Sequence, residues 1–297
     1  MSDNVMFSVI IPVYNRSETI ARSIDSILNQ SIVNFEIIVV DDHSSDIEDL
    51  ERILERYNDI RIKLIKHSSN RFGGAARNTG IKCARGKWIA FLDSDDIWFS
   101  NKLEVAYDFL SKSDPNTVFY SRLVKGFIDE KNGSVLPKNG IGKLKVSDYI
   151  FLNNGLIQTS SICLSKELAS VTMFNESLIR HQDYDFCLRL EENGASFKFY
   201  DKPLLHWVQD GSSVQSKGAT SVFCSNWIEN YKQYFSERSY IGYKVKVLIP
   251  ILVSEKKIDS ALSIIKKSST TNAYLFFMSI CILFKGLVKL LLVKFKK

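Results

Sequence analysis

The chain has 297 residues, 45% of them hydrophobic and 24% charged, enough for one large α/β domain with an appendage or two modest domains. That balance excludes a disordered, collagenous or coiled-coil chain. Lys and Arg (39) exceed Asp and Glu (33), but residues 273–297 hold five lysines and no acid, so the rest is almost neutral. A nucleic-acid binder would carry its basic patch on the body. An excess beside an apolar stretch fits a membrane surface instead. Five cysteines without a CxxC spacing argue against a zinc site or a disulfide framework and fit reduced, cytosolic thiols. No signal peptide is recognisable at the N-terminus.

The expected elements alternate along the first half. Residues 7–13 (FSVIIPV) read as a short β-branched strand. A helix follows, with Ser17 as its N-cap and Ile20, Ile24, Ile27 and Leu28 on one face. Next come a strand at 35–40 (FEIIVV) and a helix at 46–57, striped by Ile47, Leu50, Ile53, Leu54 and Tyr57. A strand at 60–65, a helix at 74–84, a strand at 87–92 (KWIAFL) and a helix at 101–111 complete the series. Such alternation implies a parallel sheet, and near-continuous apolar strands imply cover on both faces. Ligands of these sheets bind beyond the carboxyl ends of the strands.

From 118 to 211 the pattern loosens. Strand-like pieces occur at 117–124, 157–164 and 196–200, with one strong helix at 183–193 closed by Gly194. A polar loop at 210–217 is a candidate lid or an exposed linker. Helices are expected at 221–236 and 258–267. The uncharged run 274–284 is too short to span a bilayer. On a helix, Lys285, Lys289 and Lys296 fall within about 40° of one another, opposite Leu283, Leu287 and Leu290. That is the pattern of an in-plane amphipathic helix, or of a packed terminal helix with a solvated lysine face.

Three strand ends carry the polar residues: Tyr14-Asn15-Arg16, then Asp41-Asp42-His43-Ser44-Ser45-Asp46, then Asp93-Ser94-Asp95-Asp96. All three should share one edge of the sheet. Carboxylates gathered there need a cation or hydrogen-bond donors. Asp93-Ser94-Asp95 is a DxD at a strand end. It can offer oxygens to Mg²⁺ or Mn²⁺ and leave positions open for a diphosphate, although turn chemistry alone often produces the same triplet. The four histidines do not have a metal-ligand spacing, and Gly73-Gly74 is not a phosphate loop. It would allow a close approach where the chain enters a helix.

In this order and spacing, VIIPVYNR, VVDDHSSD, GGAARNTG and FLDSDDIW resemble glycosyltransferase family 2 over about residues 6–215. HQDYDFCLRL at 181–190 is similar to the family's later acidic motif, with Gln182 where Glu is usual and Asp183 retained. The resemblance implies a GT-A fold, a Rossmann-like and mostly parallel sheet flanked by helices. It also implies an inverting, metal-dependent transfer from a nucleotide sugar. On this reading Pro12, Val13, Tyr14 and Asn15 line the nucleoside pocket. Asp42 accepts a hydrogen bond from a base imide N–H such as uracil's, while Asp41 binds donor or merely caps its turn. Arg77 and Asn78 lie near the sugar nucleotide. Asp93, with Ser94 beside it, contacts ribose or a metal-bound water, and Asp95 binds Mg²⁺ or Mn²⁺ directly. Asp96 caps the helix near Trp98 or supports the site. Asp183 is the general base, or an N-cap that also serves as one. His181 would touch the acceptor or lie at the surface, and His206 could reach the diphosphate.

The expected organisation is a GT-A domain at 1–217, with a nucleotide-sugar half to about 115 and an acceptor half from 116. A helical region at 218–297 would follow, ending in the basic tail 273–297. The expected partners are a nucleotide-sugar donor, with UDP-sugar the first choice, and a saccharide or polyprenyl-linked saccharide acceptor. A peripheral membrane contact through the tail is also expected, and no nucleic acid. The enzyme would work in surface polysaccharide synthesis at the cytoplasmic face of the cell membrane. A nucleotidyltransferase would need a basic, glycine-rich loop near the N-terminus, and a dehydrogenase its glycine fingerprint; neither is present. A non-catalytic scaffold subunit of the same fold is the remaining alternative, opposed by Asp42, Asp93, Asp95 and Asp183.

Overall fold

The computed structural model describes residues 5–127, 133–209 and 220–294, except the side chains of 289–294. The expected loop at 210–217 lies outside them. Four strands, β1 (Phe7–Val13), β2 (Phe35–Asp41), β3 (Ile62–Lys66) and β4 (Trp88–Phe91), are all parallel and stand in the order β3-β2-β1-β4. Helices α1 (Ser17–Leu28), α2 (Ile47–Tyr57) and α3 (Phe72–Cys83) make the crossovers. Every residue of β2 is buried, as a near-continuous apolar run requires, and Glu36 within it is paired with Lys63 and Arg85. Ile20, Ile24 and Ile27 of α1 are fully buried with Val9, Ile11, Val39 and Leu50, so the 3.6-residue stripe is the packing face.

Beyond β4 the sheet changes character. The order continues β8 (Cys163–Ser165), β6 (Thr117–Gly126), β9 (Ser196–Val208) and β5 (Ile97–Trp98), with β7 (Ser134–Leu136) hydrogen-bonded to β6. β8 runs antiparallel to both β4 and β6, β5 antiparallel to β9, and only β6 and β9 pair in parallel. The parallel expectation holds for the nucleotide half, where each connection is a full helix. It gives way beyond β4, where β8 enters antiparallel between β4 and β6. Helices α4 (Lys102–Leu110), α6 (Lys166–Thr172) and α7 (Gln182–Glu192) flank this part. The segment expected as a strand at 157–164 is instead a 3₁₀ turn at Thr159–Ser161 followed by β8.

Ser17 is not the N-cap of α1: Arg16 holds that position, and the Ser17 N–H donates to Asp46 Oδ2 (2.9 Å). The carboxylate before α2 thus satisfies an orphan amide of α1 and ties the first two strand ends together.

Two compact units divide the chain: Met1–Lys143 with Leu156–Ser213, and Leu144–Gly155 with Val214–Lys297. The second unit therefore recruits α5 (Val146–Phe151) from the middle of the sequence, which the expected boundary at 217 did not foresee. The reason is local to this unit. Phe151 stacks on Phe235 (5.4 Å between centroids) and meets Tyr243 edge-on (5.2 Å). Ser236, which caps α9 (Glu237–Tyr243) in a box with Ser239, donates to Asp148 Oδ1 (2.6 Å). The unit also holds α8 (Ser221–Asn230), a π-helical segment at 244–248, α10 (Ile249–Ser254), α11 (Ile258–Thr271) and α12 (Ala273–Lys294).

On α12, Leu275 and Ser279 are fully buried. A Cβ at Gly286 would lie 2.8 Å from Val253 Cγ1, so small residues set a close helix contact. The opposite face exposes Tyr274, Phe277, Ile280, Phe284 and Val288. Exposed Lys285 borders this apolar face instead of opposing it, while Leu283 and Leu287 are half-buried. Among the described residues, no helix is long and apolar enough to cross a membrane.

Candidate active site

Because β1, β2 and β4 are parallel, their carboxyl ends meet at one edge. The β2 end is built from hydrogen-bond donors. Asp41 Oδ2 accepts from the N–H groups of His43 and Ser44 (both 3.1 Å), so Asp41 caps its turn. Asp42 is 2% exposed. Its own N–H donates to Val13 O (2.8 Å). Its Oδ1 pairs with His67 Nδ1 (2.7 Å) and accepts the Arg71 N–H (2.9 Å). His67 is fixed from its other side by Thr79 Oγ1 (2.8 Å). Asp42 Oδ2 is buried with no protein partner. A buried carboxylate oxygen without a donor costs free energy, and an incoming N–H would remove that cost.

The β4 end is built differently. Asp93 Oδ1 accepts from Arg77 Nη2 (2.5 Å), and Oδ2 lies 3.3 Å from Gln158 Nε2. Asp95 Oδ2 pairs with Arg16 Nη2 at 3.2 Å. Asp96 is fully buried. Its Oδ2 accepts from Ser160 Oγ (2.6 Å) and Gln158 Nε2 (2.9 Å), and its Oδ1 from the Val208 N–H (3.1 Å). Burial, reinforced by the charges of Asp93 and Asp95, pushes its carboxyl well above the usual range. Asp96 is thus a buried hub rather than a helix cap; the segment after it is β5. The 3₁₀ turn that presents Gln158 and Ser160 is held by Trp98 Nε1 on Ser160 O (2.9 Å) and Lys102 Nζ on Ser161 O (3.0 Å). Lys102 is fully buried, and burial pushes its amine down.

Arg77 links this turn to α7. Its Nη1 donates to Gln182 Oε1 (3.0 Å) while Nη2 holds Asp93. Gly73 and Gly74 allow the approach: a Cβ at Gly73 would lie 3.3 Å from Gln182 Oε1, and one at Gly74 3.3 Å from Asn175 O. Asp183 follows Gln182 in the first turn of α7, whose N-cap position belongs to His181 at φ 64°. Burial raises the Asp183 carboxyl, opposed by the charges of Arg77 and Arg180 and assisted by Asp93. His181 is pushed down to about 4 by burial and by Arg180, so it stays neutral.

The remaining predicted residues fall as follows. Val13 is buried, Pro12 half-buried and Tyr14 exposed. Asn15, at φ 51°, accepts the Ser45 N–H (2.8 Å) and donates its own N–H to Ser44 Oγ (2.9 Å). It therefore locks the β1 and β2 ends together. Ser94 is buried and its carbonyl accepts from Thr19 Oγ1 (2.9 Å). Asn78 is directed at another segment: its amide clasps the Phe174 backbone (2.7 and 2.9 Å) and Glu176 Oε1 (3.0 Å). His206 meets Gly126 O (3.2 Å). Sequence reasoning missed His67, Gln158 and Ser160, whose distance along the chain from the acidic turns hid their part. It also missed the ion pair of Arg16, which stood within a quoted motif.

Among the described residues, no three His, Cys, Asp or Glu side chains converge to hold a metal ion. Asp93 is engaged on both oxygens, and Asp95 is one carboxylate with a cation beside it. Such a donor set fits Mg²⁺ or Mn²⁺ only when phosphate oxygens complete the coordination.

The sequence model of glycosyl transferase family 2 matches residues 8–162. The amylovoran biosynthesis glycosyltransferase AmsB of Erwinia amylovora is 34% identical over 279 residues, covering 91% of this chain and 92% of that protein. The Escherichia coli UDP-Glc:alpha-D-GlcNAc-diphosphoundecaprenol beta-1,3-glucosyltransferase WfgD is 34% identical over 198 residues, 65% of this chain and 73% of that protein. Among solved structures, Staphylococcus aureus TarS in complex with UDP-GlcNAc superposes with a TM-score of 0.65 at 20% identity, covering 84% of this chain and 73% of that one. The fold is that of the GT-A transferases, and the chain belongs to glycosyltransferase family 2.

Proposed function

We propose that this glycosyltransferase is inverting and metal-dependent, and moves a sugar from a UDP-sugar to a saccharide or polyprenyl-linked saccharide acceptor in surface polysaccharide synthesis. The observation that carries the chemistry is Arg77, which joins Asp93 at the donor edge to Gln182, the residue before Asp183. A carboxylate able to take a proton thereby stands beside the residues that would hold the leaving group. The names of AmsB and WfgD support polysaccharide synthesis and, for WfgD, a UDP-sugar and a lipid-diphosphate acceptor.

Asp42 Oδ2 receives the imide N–H of uracil, with His67 and the Arg71 amide fixing the carboxylate. Asp183 takes the acceptor hydroxyl proton as that oxygen bonds to the anomeric carbon. The bond from that carbon to the diphosphate breaks, and its electron pair leaves with the nucleoside diphosphate. Attack from the face opposite the leaving group inverts the configuration. Asp95 would hold Mg²⁺ or Mn²⁺, which when bound supplies Lewis-acid stabilisation of the leaving charge. Arg77 keeps Asp93 oriented beside it. The exposed apolar face of α12, bordered by Lys285, would rest on the cytoplasmic face of the membrane, where lipid-linked acceptors are found; four more lysines follow in the sequence.

Calorimetry with UDP and GDP, each with and without Mn²⁺, tests the donor site: UDP binding that needs Mn²⁺ and is lost in Asp95→Ala is expected. Binding of neither nucleotide favours the scaffold alternative. Asp183→Asn should keep UDP binding and lower kcat by about 10²–10⁴-fold; unchanged transfer removes Asp183 as base. The base acts only when deprotonated. Its raised carboxyl therefore puts the acid limb of kcat/KM above about 3.9, the ordinary Asp value, with activity rising with pH through that limb.

A further inference from the structure

The first two turns of α1 grip the acidic turn after β4 by its backbone. Thr19 Oγ1 donates to Ser94 O (2.9 Å), Arg22 Nη2 to Asp95 O (2.9 Å) and Ser23 Oγ to Asp96 O (2.7 Å). Three successive carbonyls are therefore fixed to one helix, and the register of α1 decides what each side chain of the turn can reach. At the N-cap of that helix stands Arg16, whose Nη2 is 3.2 Å from Asp95 Oδ2; the side chains are 14% and 27% exposed. Asp93, two residues earlier, is held by Arg77 and Gln158, whereas the side chain of Asp95 faces Arg16. The cation it faces is one that a diphosphate would attract strongly, because a guanidinium matches phosphate oxygens in both charge and geometry.

Resting on the donor reading above, we infer that Arg16 is the resident counter-ion of Asp95, and that it makes divalent-cation binding conditional on the nucleotide diphosphate. In the free protein Arg16 neutralises the carboxylate and so competes with Mg²⁺ or Mn²⁺ for it. When the donor's diphosphate enters, Arg16 transfers its charge to the phosphate oxygens and releases Asp95. One residue thereby couples two ligands, and by linkage each must strengthen the other's binding by the same factor. The site admits no metal charge without the phosphate that it is to serve.

The test is a Mn²⁺ titration of the intact chain followed by electron paramagnetic resonance, with and without UDP, corrected for Mn²⁺ bound by UDP in solution. The native protein alone should bind Mn²⁺ weakly, and UDP should raise its affinity about tenfold or more, within the ~5–150-fold range of coupled sites. Arg16→Gln should bind Mn²⁺ about tenfold more tightly without UDP and show a correspondingly smaller gain on adding it, the remainder being the direct coordination by phosphate oxygens. Arg16→Lys keeps the charge and should restore most of the native coupling, which separates the charge effect from damage to the fold. Native-like weak Mn²⁺ binding by a folded Arg16→Gln, with the UDP effect intact, overturns the role of Arg16 and leaves the donor site standing. Tight Mn²⁺ binding by the native protein alone also overturns it. Absence of Mn²⁺ binding in every form, UDP included, overturns both this role and the metal-dependent donor site.

Discussion

The two acidic strand ends look alike in sequence and are built on opposite principles. After β2, Asp42 is compensated by the His67 ring and a backbone amide, and one oxygen is kept buried and open. After β4, Asp93 and Asp95 are compensated by guanidinium groups, and Asp96 by a buried polar network. Directional donors around a dry carboxylate suit reading one N–H, because a mismatched partner leaves a buried group unpaired. Guanidinium groups around half-exposed carboxylates suit ligands that bring charge, since ion pairs can be exchanged for other ion pairs. On the proposed function, base recognition falls to the first end and the diphosphate to the second.

Substitutions can break that contrast. The largest effect is expected at the charge-handling end: Asp95→Ala should lower the transfer rate by about 10³-fold, measured as kcat with saturating donor and Mn²⁺. At the reading end, Asp42→Asn should weaken UDP binding by about 10–100-fold, the ~1.5–3 kcal/mol of a charged hydrogen bond, and narrow the preference for UDP over GDP in calorimetry. Equal loss for both nucleotides would mean that Asp42 does not read the base. Ser160→Ala removes a donor to Asp96 and the acceptor of the Asp93 N–H. It should cost about 1–3 kcal/mol of stability in urea unfolding. The smallest effect sharpens the comparison: His67→Gln keeps a donor near Asp42 and should cost only about 0.5–1.5 kcal/mol in UDP binding. A larger loss would show that the imidazole does more than orient Asp42.

Sequence alone sufficed for the parallel half of the sheet. β1 and β2 are short, β-branched, near-continuous apolar runs and β4 a short apolar one, alternating with amphipathic helices, and their polar ends had to share an edge. It determined, by resemblance, which family the chain joins, because four motifs in fixed order carry information that no single DxD has. It also placed Asp41 as a turn cap among its alternatives, since an Asp side chain bonding amides two and three residues on is a local event. Contacts between distant segments emerged only on folding, because local rules cannot reach them. Asp46 caps α1 rather than its own helix, Asp96 is a buried hub, Asn78 clasps the segment around Phe174, and α5 joins the second unit. On α12 the pattern of lysines suggested one outward face, whereas Ser279 and Gly286 chose another, because close helix packing follows the smallest side chains. Gln158 and Ser160 stayed hidden for the same reason: they reach the acidic turn from more than sixty residues away, and periodicity records what a residue packs beside in its own element, not what arrives from elsewhere in the chain.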